Sequence, residues 1–340
     1  MSPLGAISSP ILVSGASGFV GAAVVRRLRA RGRLVRVLVR PGARRDNIPQ
    51  GVEVAEGDLT DPASLKRACQ GIGGLFHVAA DYRLWVPDPA PMFAANVAGS
   101  LAILRAAAEA GAVRLVHTSS VAVLKAFADG RVADEETPVT AAEMIGPYKL
   151  SKFRAEEGVR ELAEGEGLPV VIVNPSTPVG PGDIRPTPTG RVILDAARGR
   201  MPAFVDTGLN VAHVDDVAEG HLLAFEKGQV GRRYILGGDD LPLKDILARA
   251  AAAAGRPAPR VRLPVGAVVP VAVAAEAWAR LTGKAPLATL DELRMARKRM
   301  YFSSARAEAE LGYVHRPATV AIDDAVAWFA ARGALKTGKP

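Results

Sequence analysis

The stretch Ser14-Gly15-Ala16-Ser17-Gly18-Phe19-Val20-Gly21 constrains this chain more than any other part of it. It follows the apolar run Ile11-Leu12-Val13 and opens a helical pattern from Val20 to Ala30. A strand feeding a helix through three glycines at three-residue spacing lets backbone N–H groups approach an anion at the helix N-terminus. Ordinary strand–helix turns also carry glycines. Context separates this loop from them, because a strand precedes it, a helix follows, and the next strand (Leu34 to Val39) comes about 20 residues on. The loop reads as a dinucleotide cradle built from Gly15, Ser17, Gly18, Phe19, Val20 and Gly21.

Apolar runs and helical patterns alternate through the first half of the chain. Strands are expected at 11–13, 34–39, 52–56, 75–79, 114–118 and 170–174, and helices at 20–30, 62–70, 92–110 and 148–164. Asp61 before Pro62 is a helix start, and Gly32 and Gly111 stand where helices end. This alternation predicts an α/β fold, a Rossmann-type doubly wound parallel sheet with a smaller, mostly helical substrate-binding lobe. The nucleotide-binding domain is expected over 9–175 with a return segment near 203–228, the lobe over 176–202 and 229–332, and a flexible tail at 333–340. Pro175 to Gly190 reads as a long ordered loop over the site.

The 340 residues suffice for one large domain or two modest ones. The lone cysteine, Cys69, excludes intrachain disulfides and reads as a buried, inert thiol of a reducing compartment. No charged-then-apolar leader stands at the N-terminus, so a cytoplasmic location is expected. The formal charge of +8 comes from dispersed arginines, which points to a diffuse basic surface and away from a nucleic-acid groove. The apolar stretch Leu263 to Ala275, interrupted by Pro270, is too short to span a bilayer. It is either a packed core helix or a helix in peripheral contact with a membrane surface. The five histidines show no paired metal-ligand spacing, so no metal is expected.

Tyr148 and Lys152 lie four apart on a predicted helix and project from one face. An ammonium beside a phenol lowers its pKa and equips it to exchange a proton with a substrate oxygen. An exposed tyrosine with a solvated lysine has the same spacing, so the pair needs company. Thr118-Ser119-Ser120 supplies it at the end of a predicted strand, where open parallel sheets bind ligands. Arg40 stands at the end of the second strand, where an acidic residue suits the ribose hydroxyl of NAD and arginine suits the 2′-phosphate of NADP. NADP is therefore the expected cofactor, with Arg40 as main ligand, Arg44 or Arg45 assisting, and NAD as the alternative.

Glycines 15, 18 and 21, Asp58-Leu59, Ala79-Ala80, Ser120, Tyr148-Lys149-Leu150-Ser151-Lys152 and Pro175 resemble the extended short-chain dehydrogenase/reductase superfamily, from about Ile11 to Gly238 and more loosely to Phe329. The nearest likeness is to its dihydroflavonol-reductase-like branch. Within that branch, Ala80-Asp81-Tyr82-Arg83-Leu84-Trp85, Asn174-Pro175-Ser176-Thr177-Pro178-Val179-Gly180-Pro181 and Thr187-Pro188-Thr189-Gly190-Arg191 are similar to proteins labelled hopanoid-associated sugar epimerases. The resemblance implies Ser120, Tyr148 and Lys152 as catalytic residues, and Asp58 and Leu59 around the adenine. It also implies Thr118, Ala79 and Ala80 on the cofactor side, Pro175 at the nicotinamide, and Asn96 behind the site. A homodimer formed through the helices at 92–110 and 148–164 is likewise implied.

Departures from the superfamily pattern fall where substrate should bind. His77-Val78-Ala79-Ala80-Asp81 replaces the usual Asn-Ala-Ala-Gly, and Asn174-Pro175 the usual Arg-Pro. Asp81, Tyr82, Trp85, Asn174 and Arg185 are the substrate candidates, suited to an apolar body with a hydroxylated end. Tyr82 and Trp85 read equally as packing contacts. Three functions stay open: an NADP-dependent reductase of a carbonyl or aldose, with the sugar-like side chain of a hopanoid lipid as one such group; an NAD-retaining sugar epimerase or dehydratase; and a non-catalytic NADP-sensing regulator. The capping role favoured for Asp215 and Asp216 is structural.

Overall fold

The computed structural model describes residues 3–282, 286 and 289–335. A short helix α1 (Pro3–Ala6) leads into β1 (Ile11–Ser14), whose four residues are all buried. There follow α2 (Phe19–Ala30), β2 (Val35–Val39), β3 (Glu53–Glu56), α3 (Pro62–Cys69), β4 (Gly74–His77), α4 (Ala90–Glu109) and β5 (Arg114–Thr118). Next come α5 (Gly146–Gly165), β6 (Val170–Pro175), β7 (Thr177–Val179), α6 (Pro188–Ala197), β8 (Ala203–Val205) and β9 (Gly208–His213). The remainder is α7 (Val214–Lys227), β10 (Arg233–Leu236), β11 (Asp239–Pro242), α8 (Leu243–Ala253), β12 (Val261–Leu263), α9 (Val265–Thr282), α10 (Leu290–Ala296), β13 (Arg299–Met300) and α11 (Ala318–Ala331).

The main sheet has seven strands in the order β10-β6-β5-β4-β1-β2-β3, all parallel. Strand order reverses between β1 and β4, which opens a crevice at their carboxyl ends. Helices cover both faces, so the central strands read as continuous apolar runs, as in the fully buried Val170-Val171-Ile172-Val173. On one face α2 and α7 pack together, and Phe225 stacks on Phe76 with ring centroids 5.1 Å apart. On the other, Leu65, Cys69, Leu104 and Val159 from α3, α4 and α5 form a second core. Burial pushes the Cys69 thiol up to about 12, which leaves it inert.

Local signals behave as the sequence suggests. Asp61 caps α3 by accepting from Ala63 N at 3.0 Å and Ser64 N at 3.3 Å. Gly32 and Gly111 adopt positive φ of 69° and 84° beyond the ends of α2 and α4. Helix α4 is apolar and long enough to cross a membrane by length and composition, yet it packs on α3 and α5 and widens into a π turn at Ala94–Ala98.

The domain boundaries differ from expectation. Strands β8 and β9 of the expected return segment pair within the lobe, and of that segment α7 is the helix that packs on the main sheet. The return is completed by β10, inside the stretch assigned to the lobe: a four-residue strand flanked by Gly231, Gly237 and Gly238 looks like a turn in sequence. Beyond β13, a π turn at Ala307–Leu311 and Tyr313 also rejoin the core beneath α7. The lobe carries two small sheets besides its helices: β11-β9-β13 with β7 on β9, and the pair β12-β8. Strand β7 interrupts the expected loop at 175–190. Of the expected tail, Ala334 and Leu335 pack on the lobe, and Arg198 Nε donates to Ala334 O at 2.8 Å. Residues 336–340 lie outside the described residues.

Truncating Phe225 to alanine removes half of the stacked pair and leaves a cavity between α7 and the sheet. Phe225→Ala is expected to lower unfolding free energy by about 3–5 kcal/mol in urea titration, with the far-UV spectrum of the folded protein unchanged.

Candidate active site

The glycine loop presses against the end of β4. Gly15 has φ +73°, and a Cβ there would stand 2.7 Å from Ala79 N; one on Gly21 would stand 2.2 Å from Gly15 O. Gly18 N donates to Gly15 O at 2.9 Å and closes the turn. Helix α2 then begins with no side-chain cap and no acidic residue in its first turn. Its leading N–H groups and the positive end of the helix dipole are left for an anion. Ser17 and Gly18 are exposed, while Phe19, Val20, Ala79 and Ala80 are half-buried around them. The cradle fits a dinucleotide pyrophosphate.

Beside it, β5 ends at Thr118 and delivers Ser119 and Ser120. Ser120 is half-buried and extended, with Oγ accepting from Ala122 N at 3.1 Å. Tyr148 sits in the first turn of α5, and the Ser120 hydroxyl hydrogen-bonds its phenol. Burial raises that phenol above its ordinary range, and Ser120 lowers it in part. The sequence expectation of a phenol lowered by Lys152 is thus corrected. Lys152, one turn on and buried, turns its ammonium to Thr118 O at 2.7 Å. Burial pushes Lys152 down to about 8, against the upward pull of Glu156.

Two buried networks hold these groups. In the first, Ser100 Oγ donates to Asn96 O (2.6 Å) and so accepts from His77 Nε2 (2.8 Å). His77 Nδ1 then accepts from Ser14 Oγ at 2.7 Å, and Ser14 Oγ accepts from Val78 N and Ala79 N. Burial keeps His77 neutral, at about 3. Asn96 accepts from Asp81 N (2.7 Å) and donates to Asp81 O (2.8 Å) and Ser151 Oγ (3.0 Å); Ser151 Oγ donates to Tyr148 O at 2.8 Å. The chain of bonds runs from the glycine loop to the backbone of the tyrosine.

The second network corrects an assignment. Asn174, a substrate candidate, is fully buried; its Nδ2 donates to Ser120 O at 3.1 Å and to Glu156 Oε2 at 2.8 Å. Glu156 Oε1 accepts from Arg233 Nη1 at 2.8 Å. Asn174 therefore positions Ser120 and does not face substrate. Glu156 and Arg233 went unnoticed in the sequence. The signal for Glu156 was its place four residues after Lys152, one turn along the same face.

At the far end of the cleft, Arg40 follows β2, exposed and, among the described residues, without an ion pair. Arg44 pairs with Asp46 at 3.1 Å and Arg45 with Glu56 at 2.5 Å, both at the exposed surface beside it. The Asp58 carboxyl is held below its usual range by the Thr60 hydroxyl and N–H, with Arg40 adding to the effect. A Cβ on Gly99 would stand 2.7 Å from Leu59 Cβ, so α4 backs the adenine side closely. Pro175 ends β6, buried. The Thr118 hydroxyl donates to His221 Nε2 at 3.0 Å, away from the cofactor side; its carbonyl is what meets Lys152.

The remaining substrate candidates share the outer rim. Asp81 pairs with Arg83, Tyr82 is exposed and feels the charges of Asp183 and Arg185, and Trp85 is half-buried. The α7 cap is His213, whose Nδ1 accepts from Asp215 N at 3.0 Å. Asp216 instead grips Arg316, which corrects the capping role given to both aspartates.

A glycine cradle at a helix N-terminus, beside a serine at a strand end and a phenol and ammonium on the neighbouring helix, defines an NAD(P)-dependent enzyme of the extended short-chain dehydrogenase/reductase type. Residues 11–237 match the NAD dependent epimerase/dehydratase family, and the chain belongs to it. A Synechocystis sp. protein given the provisional name dihydroflavonol 4-reductase is 42% identical over 98% of each chain. Sterol demethylase protein B of Methylococcus capsulatus is 35% identical over 95% of this chain and 99% of its own. The solved structure of gox2253 superposes with TM-score 0.87 at 52% identity, covering 96% of this chain and 99% of that one.

Lys152 carries a testable pH signature. Its folded pKa of about 8 lies below the unfolded 10.5, so between these values the unfolded chain binds the extra proton. Its contribution makes stability rise with pH in that window and is lost as pH falls through 8. Urea titrations at both ends of the window should show Lys152→Met losing this rise relative to the wild type.

Proposed function

We propose that the chain is an NADP-dependent reductase of a ketone or masked aldose carbonyl, with Tyr148 as proton donor. The observation that carries this reading is Arg40, a free guanidinium at the end of β2 where a ribose-binding acid would otherwise stand. A guanidinium there suits the 2′-phosphate through charge and paired donors. A reduced nicotinamide held by the glycine cradle would supply the hydride for the carbonyl carbon. The Ser120 hydroxyl donates to the carbonyl oxygen and orients it. Tyr148, kept protonated by burial, gives its proton to the forming alkoxide. Lys152 stands one turn away with its ammonium fixed on Thr118 O, where it is placed to hold the nicotinamide ribose.

Tyr82, Trp85 and Arg185 favour a substrate with an apolar body and a hydroxylated end. The two curated relatives above are named for a polycyclic flavonol and a sterol, which supports a polycyclic body. The sugar-like side chain of a hopanoid lipid has this character, with the masked aldehyde of the sugar as the group reduced.

Tyr148→Phe should lower kcat roughly 100- to 10,000-fold in an NADPH-oxidation assay while leaving NADPH affinity nearly unchanged. Wild-type turnover that consumes no NADPH per product would instead indicate an epimerase retaining its dinucleotide. Arg40→Asp should weaken NADPH binding roughly 10- to 100-fold in calorimetry and shift preference to NADH. Unchanged selectivity would remove the case for NADP.

A further inference from the structure

Helix α9 inverts the usual pattern of a surface helix. Its inner stripe is thin, with Ala272 and Ala279 buried and Val265, Val268, Val269, Ala275 and Glu276 half-buried. Among the described residues its outer face is Gly266, Ala267, Pro270, Val271, Val273, Ala274, Ala277, Trp278 and Leu281, closed at the end by Thr282, and none of these is charged. Trp278 is 66% exposed and Leu281 83%, and Val261 and Leu263 extend the apolar surface just before the helix. Of the two sequence readings, the packed core helix is therefore excluded. A contiguous apolar face of this kind marks an interaction site.

The rim beside it is basic. Arg256 and Arg260 are exposed and, among the described residues, without ion pairs; Arg256 lies against Gly199, next to exposed Arg200. Arg262 and Arg299 share a single carboxylate, Asp206. The register β12–β8 holds this arginine segment against the chain that follows Arg200. Cations beside an uncharged apolar face with a tryptophan complement the headgroup level of an anionic bilayer. Glu276 Oε1 accepts from Leu290 N at 2.7 Å and ties the inner side of the helix to α10, which suits a helix lying along a surface and not one crossing it.

We propose that α9 and the arginine segment 256–262 dock the protein on anionic membrane lipid. The placement has a functional side, which rests on the reductase reading. Helix α10 puts Asp291 beside Gly146, two residues before Tyr148, so α10 links the docked helix to the catalytic helix. A lipid-borne carbonyl would then reach the cleft without crossing water.

Flotation of the full-length protein with vesicles tests the docking independently of activity. Binding is expected to vesicles of equal parts phosphatidylcholine and phosphatidylglycerol, and much less to phosphatidylcholine alone. Trp278→Glu with Leu281→Glu should abolish it, and Arg256→Glu with Arg260→Glu should weaken it at least roughly tenfold. All four positions are exposed, so NADPH binding of the variants serves as the folding control and should match the wild type. Two outcomes overturn the proposal: no wild-type binding to the anionic vesicles, or a wild-type dimer in solution that Trp278→Glu with Leu281→Glu dissolves while vesicle binding persists.

Discussion

A buried ammonium is the interaction around which this site is arranged. Lys152 lies where water does not reach, and an uncompensated cation there would be costly. Its compensation comes from the Thr118 carbonyl at the end of β5 and from Glu156 one turn along α5. Glu156 in turn engages Arg233 on β10 and Asn174 on β6, and Asn174 pins the carbonyl of Ser120. One charge thus orders three strand ends and a helix. Removing any member leaves another buried polar group without its partner, which is why the arrangement is rigid.

The His77 network plays the same part on the other side of the crevice. It ties Ser14, at the threshold of the glycine loop, to Ser100, Asn96 and Ser151, and so to the backbone of Tyr148. The π turn in α4 brings Asn96 inward at the price of regular helix geometry. Cofactor cradle and proton donor are consequently parts of one hydrogen-bonded frame.

Much of this was legible in the chain itself, for a physical reason. Glycine spacing, strand runs buried on two faces and the four-residue interval from Tyr148 to Lys152 are local signals, and local geometry honours them. Asn174 was misjudged because its neighbours in space, Ser120 and Glu156, are distant in sequence. Strand β10 escaped notice because four residues between glycines carry no periodicity of their own; pairing with β6 makes them a strand. The outward apolar face of α9 was ambiguous, since hydrophobic content does not say which side a helix shows to water.

The path of the polypeptide between sheet and lobe has a mechanical consequence. The chain leaves the main sheet after β6, returns for α7 and β10, leaves again, returns at Ala307–Tyr313 and ends in the lobe with α11. Two bodies stitched together so many times lack the one or two linkers about which a hinge swings. Wide jaw-like closure is thereby denied to this enzyme. Its discrimination between ligands must come from the fixed contour of the crevice and from small side-chain adjustments at its lip.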